Sequence, residues 1–159
     1  MDKEELIDKI ENMYIMLLYA ISKEDLDRVK QYLSDEQYIK YENIINNNIK
    51  NNVVQKYGEL NVASLDIVSI QENLVTVEIV VKYIDYKIDR ITRKFKEGSS
   101  VKEKYNFRLK VRYNECNREL VYRCENCGAP LNVNLTGVCD YCKVPVDEKE
   151  SLYVIESIE

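Results

Sequence analysis

Four of the five cysteines in this 159-residue chain stand as two Cys-x-x-Cys pairs in the stretch RCENCGAPLNVNLTGVCDYCK, residues 123 to 143. Cys124, Cys127, Cys139 and Cys142 have the spacing C-x₂-C-x₁₁-C-x₂-C. Two residues between paired thiolates let both sulfurs reach one tetrahedral centre from a tight turn whose backbone N–H groups face them. Gly128 follows the first pair directly, where a positive φ completes such a turn. The spacing therefore predicts a metal clasp: Zn²⁺, or iron in a rubredoxin-like variant, held by four thiolates whose formal excess of −2 Arg123 and Lys143 help to offset. Four thiolates fill the tetrahedron and leave no position for an activated water, so the zinc is expected to be structural rather than catalytic. The segment between the pairs has few apolar side chains, and metal binding must then supply much of its folding free energy. Cys116 is left over and reads as a buried thiol.

The chain has no histidine and no tryptophan, which removes imidazole acid–base catalysis, His-containing metal sites and Ser-His or Cys-His nucleophile pairs. Any catalysis would fall to carboxylates, Tyr, Lys or the cysteines. Asp85, Asp89, Tyr83 and Tyr86 are a carboxylate-and-phenol set at strand spacing that could in principle act as base and hydrogen-bond donors. A second kind of site is electrostatic. In KYNFRLKVRY, Lys104, Arg108, Lys110 and Arg112 share one parity of an alternating run with Asn106, while Tyr105, Phe107, Leu109, Val111 and Tyr113 share the other. One face is expected to be buried and the other wet and basic, suited to an acidic protein partner or an anionic membrane surface.

The elements that must position these groups follow from periodicity. Leu6, Ile10, Met13, Leu17 and Ile21 recur at helical steps and predict an amphipathic helix over 2–22. Ser22, with Asp25 reaching back, predicts a cap for a short second helix to about Leu33. Ser34, followed by Glu36 and Gln37, starts a third helix carrying Tyr38, Tyr41, Ile44, Ile45 and Ile49, which frays through the Asn-rich run and stops near Gly58. From Asn61 the period becomes two. NVASLDIVSI is a first strand and LVTVEIVVKYIDYKID a long second one. Val75, Val77, Ile79, Val81 and Tyr83 share one parity but Ile84, Tyr86 and Ile88 the other, so a bulge or bend is expected near Tyr83 and Ile84. KEGSS at 96–100 reads as the turn into the basic strand, and Leu152, Val154 and Ile155 as a last strand after the cysteine segment.

The order is thus α+β: N-terminal helices packed on a bent antiparallel sheet, with a zinc ribbon inserted before the last strand. The expected divisions are 1–115 for the α+β body, 116–148 for the ribbon and 149–159 for the closing strand. With 45% hydrophobic and 32% charged residues the chain reads as globular. Its net charge of −5 argues against wholesale nucleic-acid binding. MDKEEL lacks the features of a secretory signal, and MYIMLLYAI, the most apolar run, is about half the length needed to cross a bilayer, so a cytoplasmic location is expected. In that reducing setting cysteines favour metal over disulfides, and the acceptor-like Asn134-Leu135-Thr136 is discounted as a glycosylation site.

The run EDLDRVKQYLSDEQYIKYENII, followed by NVASLDIVSIQENLVTVEIVVKYIDYKID, resembles the bacterial relatives of the C-terminal domain of the mitochondrial import subunit Tim44. Several of these also carry a ribbon much like CENCGAPLNVNLTGVCDYCK and a closing strand like SLYVIESI. The resemblance spans about residues 12–158. It implies a cone like that of nuclear transport factor two, also described as cystatin-like, with helices on the concave side of the sheet. It also implies an adaptor at a membrane periphery or on a protein partner rather than an enzyme. Family members often have membrane-spanning segments ahead of this domain; no run in this chain is long enough for one.

The leading expectation is accordingly a non-catalytic zinc-binding module with a protein partner, an anionic membrane surface or a second copy of itself on the sheet face. Two alternatives are a ligand-binding or enzymatic cone using the cavity near Asp85, and nucleic-acid binding through the ribbon. The ribbon's Glu125, Asp140, Asp147 and Glu148, with Tyr141 as its only aromatic, argue against the last.

Overall fold

The computed structural model describes residues 3–113, 122–123, 127, 130–131, 142–143 and 153–159. Helix α1, Lys3–Lys23, forms where the apolar steps predict, and Leu6, Ile10, Met13, Leu17 and Ile21 are all at most 2% exposed. Its buried arc is wider than that stripe, because Tyr14, Leu18 and Ala20 are buried as well. Ser22 lies inside this helix and does not cap the next element. The chain leaves α1 through Glu24, at φ 57°, with Asp25 N donating to Ala20 O and Glu24 N to Ile21 O. That is the bonding of a Schellman ending with Glu in the usual Gly position. A 3₁₀ segment, Leu26–Tyr32, follows, with Asp25 before it making no side-chain cap. Ser34 does cap α2, Asp35–Lys50, by accepting from the N–H of Gln37.

Helix α2 buries Gln37, Tyr41, Ile45 and Asn48, and leaves Ile44 and Ile49 exposed. It ends earlier than Gly58. Asn52 takes φ 61° just past the last turn, a conformation Asn tolerates better than most residues. β1, Val53–Gln71, therefore starts eight residues before Asn61, its first two residues, Val53 and Val54, paired with Asp89 and Ile88. The β-branched pair outweighs the helical bias of the run before it.

β1 pairs antiparallel with β2, Leu74–Asp89, and three bulges let its 19 residues lie against the 16 of β2. One falls between Gly58 and Asn61, opposite Tyr83, with Glu59 at φ 51°. The bend expected near Tyr83 is thus present, and its extra residue sits on the partner strand. On its other edge β2 pairs with β4, Glu103–Tyr113, up to Tyr83, and with the short β3, Phe95–Gly98, from Tyr86 onward. The expected turn at 96–100 is therefore largely strand. The tighter turn lies at 89–94, where Asp89 Oδ1 accepts from the N–H groups of Ile91 and Thr92.

β5, Tyr122–Arg123, and β6, Pro130–Leu131, make a separate two-stranded pair, and β7, Tyr153–Ile158, closes the main sheet beside β4. Main-sheet order is β1-β2-β4-β7, with β3 on the β2 edge. α1 fills the inner face of the sheet: Val75, Val77, Ile79, Val81, Leu109, Val111 and Ile155 are at most 1% exposed. Each such side chain contributes about 1.5–3 kcal/mol on removal from water, so this layer dominates stability. The fold is α+β with helices on a bent antiparallel sheet, as expected.

Candidate functional site

The alternation of β4 holds. Leu109, Val111 and Tyr113 are buried, while Lys104, Arg108 and Arg112 are exposed and Lys110 half-buried on the outer face. Neighbouring strands already partner two of these cations. Arg108 Nη2 lies 2.6 Å from Glu78 Oε1 on β2, and Arg112 Nη1 2.8 Å from Glu156 Oε1 on β7. The Arg108–Glu78 pair is solvent-exposed and worth at most about 1 kcal/mol, and the Arg112–Glu156 pair is half-buried at its glutamate; both cancel charge locally. Lys104 and Lys110 make no ion pair among the described residues. In register, Lys104 lies directly opposite Lys82, exposed on the same face. Like charges directly opposite repel, so this end of the sheet keeps an uncompensated basic spot. The alternation of β2 alone does not single out Lys82; the pairing register does.

The cysteine segment is partly described. β5 and β6 pair Tyr122 with Leu131 and Arg123 with Pro130, on either side of Cys127 in the sequence. Cys127 is an exposed turn residue; Cys142 is a half-buried turn residue, followed by Lys143 at φ 62°. Cys124, Cys139 and Cys116 lie outside the described residues, as do Glu125, Asp140, Tyr141, Asp147 and Glu148. Among the described residues there is no group of three side chains able to hold a metal.

The carboxylate-and-phenol set converges only in part: Asp85 lies close enough to Tyr83 for its charge to raise that phenol further, while Tyr86 and Asp89 are turned to other partners. Tyr83 joins an aromatic chain on the inner face, edge-on to Tyr57 at 5.1 Å and stacked on Tyr105 at 4.4 Å. Asp85 is engaged by Gln55 Nε2 at 2.6 Å. Tyr86, of the opposite parity, stacks on Phe95. Asp89 serves the 89–94 turn, and the two N–H groups it accepts from hold its carboxyl below the usual range. Burial pushes the phenols of Tyr14, Tyr57 and Tyr83 well up, and that of Tyr41 to about 12, so at neutral pH they remain protonated. Among the described residues, a cavity of about 190 Å³ lies elsewhere, between Lys3, Leu6 and the β1–β2 turn. No helix among the described residues is long and apolar enough to cross a membrane.

Comparison with known proteins agrees with this architecture. A family model described as Tim44-like domain matches residues 1–107. Among solved structures, the crystal structure of the intermembrane space region of the chloroplast protein ARC6 superposes with a TM-score of 0.54 at 14% identity, covering 72% of this chain and 88% of that one. At that identity the likeness concerns the fold alone. No curated protein sequence matches.

Proposed function

The chain belongs to the Tim44-like domain family, and from that premise we propose that it is a non-catalytic adaptor whose open sheet face receives an acidic protein partner. The observation that carries this reading is the juxtaposition of Lys82 and Lys104 on the outer face, with Lys110 further along, none of them ion-paired among the described residues. An acidic side chain arriving there would relieve a repulsion that the free protein bears, whereas Arg108 and Arg112 mainly orient the face through their own pairs. The inner face offers less. Leu6, Ile10, Met13 and Leu17 pack into it, and Asp85 is occupied by Gln55, which weighs against a cavity-based enzyme. In this proposal Cys124, Cys127, Cys139 and Cys142 hold a structural Zn²⁺, supported by their spacing and by the turns at Cys127 and Cys142. Residues 116–148 are then a clasp between β4 and the closing strand. In the same proposal the protein works in the cytoplasm or at a membrane periphery.

The test is capture from its own cells with the full chain and with a Lys82→Glu/Lys104→Glu variant. The same protein should be retained by the first and lost by the second. Retention by both, or recovery of nothing but a second copy of this chain, would overturn the proposal.

A further inference from the structure

The hairpin end of the sheet carries a small open cavity that the basic outer face does not use. It measures about 190 Å³ and lies between the first turn of α1 and the two-residue turn that joins β1 to β2. Leu6, Val75 and Tyr113, all buried, line its floor, and Ile70, 48% exposed, is its open apolar wall. Tyr113 N donates to Asn73 O at 2.7 Å, so the turn is tied to the end of β4 and the floor to the core. Asp85 stands eleven residues beyond Leu74 on β2, about 35 Å of extended strand, so this cavity is separate from the phenols of the inner face.

Two opposite charges meet at the mouth from different elements. Lys3 lines the cavity from α1 and Glu72 from the turn, both are exposed, and neither makes an ion pair among the described residues. Glu72 holds φ 54° at the first central position of the turn, where glycine is the easier residue. The chain thus keeps a carboxylate at a position whose backbone does not favour one.

Size and charge together select an occupant. The volume is a little above the roughly 150 Å³ of a cavity that admits benzene, which suits a molecule of about six to ten heavy atoms. A nucleotide is too large. An apolar carboxylate would gain Lys3 but face the like charge of Glu72, an apolar amine would meet the reverse, and a neutral apolar molecule would use neither group. A peptide carries its two charged termini on different residues and brings only one of them to the mouth. A single small zwitterion with an apolar side chain answers both charges and the floor. We propose that this cavity binds a free apolar α-amino acid of about leucine size, its side chain against Leu6, Ile70 and Val75, its carboxylate at Lys3 and its ammonium at Glu72.

The experiment is titration of the full chain, followed by amide NMR shifts, with L-leucine and with three probes that each lack one part of it. 4-Methylpentanoate lacks the ammonium, 3-methylbutylamine the carboxylate and glycine the side chain. Leucine is expected to saturate in the millimolar range and to move the amides of residues 3–6 and 70–75, and each partial probe should bind at least about tenfold more weakly. Lys3→Gln, Glu72→Gln and Ile70→Ser each change an exposed side chain, so each should melt as the parent does and lose about tenfold in leucine affinity. Lys82→Glu/Lys104→Glu should bind leucine as the parent does. The partial probes test the same contacts on the unaltered chain, whatever the variants do to the fold. No saturable shift up to about 10 mM leucine, shifts confined to other residues, equal binding of any partial probe, or parental affinity in both charge variants would each overturn the proposal.

Discussion

Arg90 grips Glu24 with both arms, Nη1 to Oε1 and Nη2 to Oε2 at 2.6 Å each, and Nη2 also donates to Val53 O at 2.9 Å. One guanidinium thereby joins the end of α1, the end of β2 and the start of β1. Its planar fork suits that task in a way a lysine ammonium would not.

Glu24→Gln keeps the backbone of the helix ending and removes the charge pairing. With both side chains partly exposed, the loss is expected to be about 1–2 kcal/mol, or roughly 2–8 °C in melting temperature. Arg90→Lys should be nearly as damaging. Calorimetry on the two variants checks this, and an unchanged melting temperature in both would show that the clamp adds nothing.

Gly98 sits at φ 112°, and a Cβ there would stand 2.5 Å from Asp85 O and 2.6 Å from Tyr86 Cα. Both obstacles are backbone, so β3 must move away. Gly98→Ala is expected to cost about 1–3 kcal/mol and to unpair β3 from β2. Faster amide hydrogen exchange confined to residues 86–98 is the signature; protection equal to the parent's would refute it.

The inner phenols give the protein an alkaline limit. Burial, first, raises Tyr14, Tyr57 and Tyr83, helped by neighbouring phenols and, at Tyr83 and Tyr57, by the Asp85 carboxylate, and burial alone raises Tyr41 to about 12, whereas the unfolded chain's phenols ionise near 10. The folded state therefore binds more protons in this window. Its stability is full below about pH 10 and falls as pH rises towards 12. Denaturant midpoints across that range, followed alongside tyrosinate absorbance, should fall together; a flat midpoint would mean these phenols titrate as in the unfolded chain.

Metal analysis should find one zinc per chain. Cys124→Ser and Cys139→Ser should each lose it, and chelation should release residues 122–143 while the α1–sheet core stays folded, since zinc binding in small ribbons is worth on the order of 10 kcal/mol. A protein grown with ample zinc that carries neither zinc nor iron would remove the metal from this account.

Much of the architecture could be read in advance because local periodicity and core burial agree. The stripe Leu6–Ile21, the alternation of β4 and the parity change in β2 each report which face meets the interior, and any fold that buries them must place them so. Elements decided by local competition were harder. Val53 and Val54 join the sheet because Asp89 and Ile88 are there to pair with, and Phe95–Gly98 becomes a strand because β2 runs on past β4. Neither partner is visible from the short segment itself.

By itself, the sequence determined the α+β order, the two faces of the main strands and the spacing of the four cysteines, all properties of position along one chain. The tertiary structure alone decided that Lys104 meets Lys82 and that Arg108 and Arg112 meet Glu78 and Glu156. Charge acts across space rather than along the chain. Whether a lysine has a counter-ion depends on strand register and on where a helix ends, which the packed sheet sets.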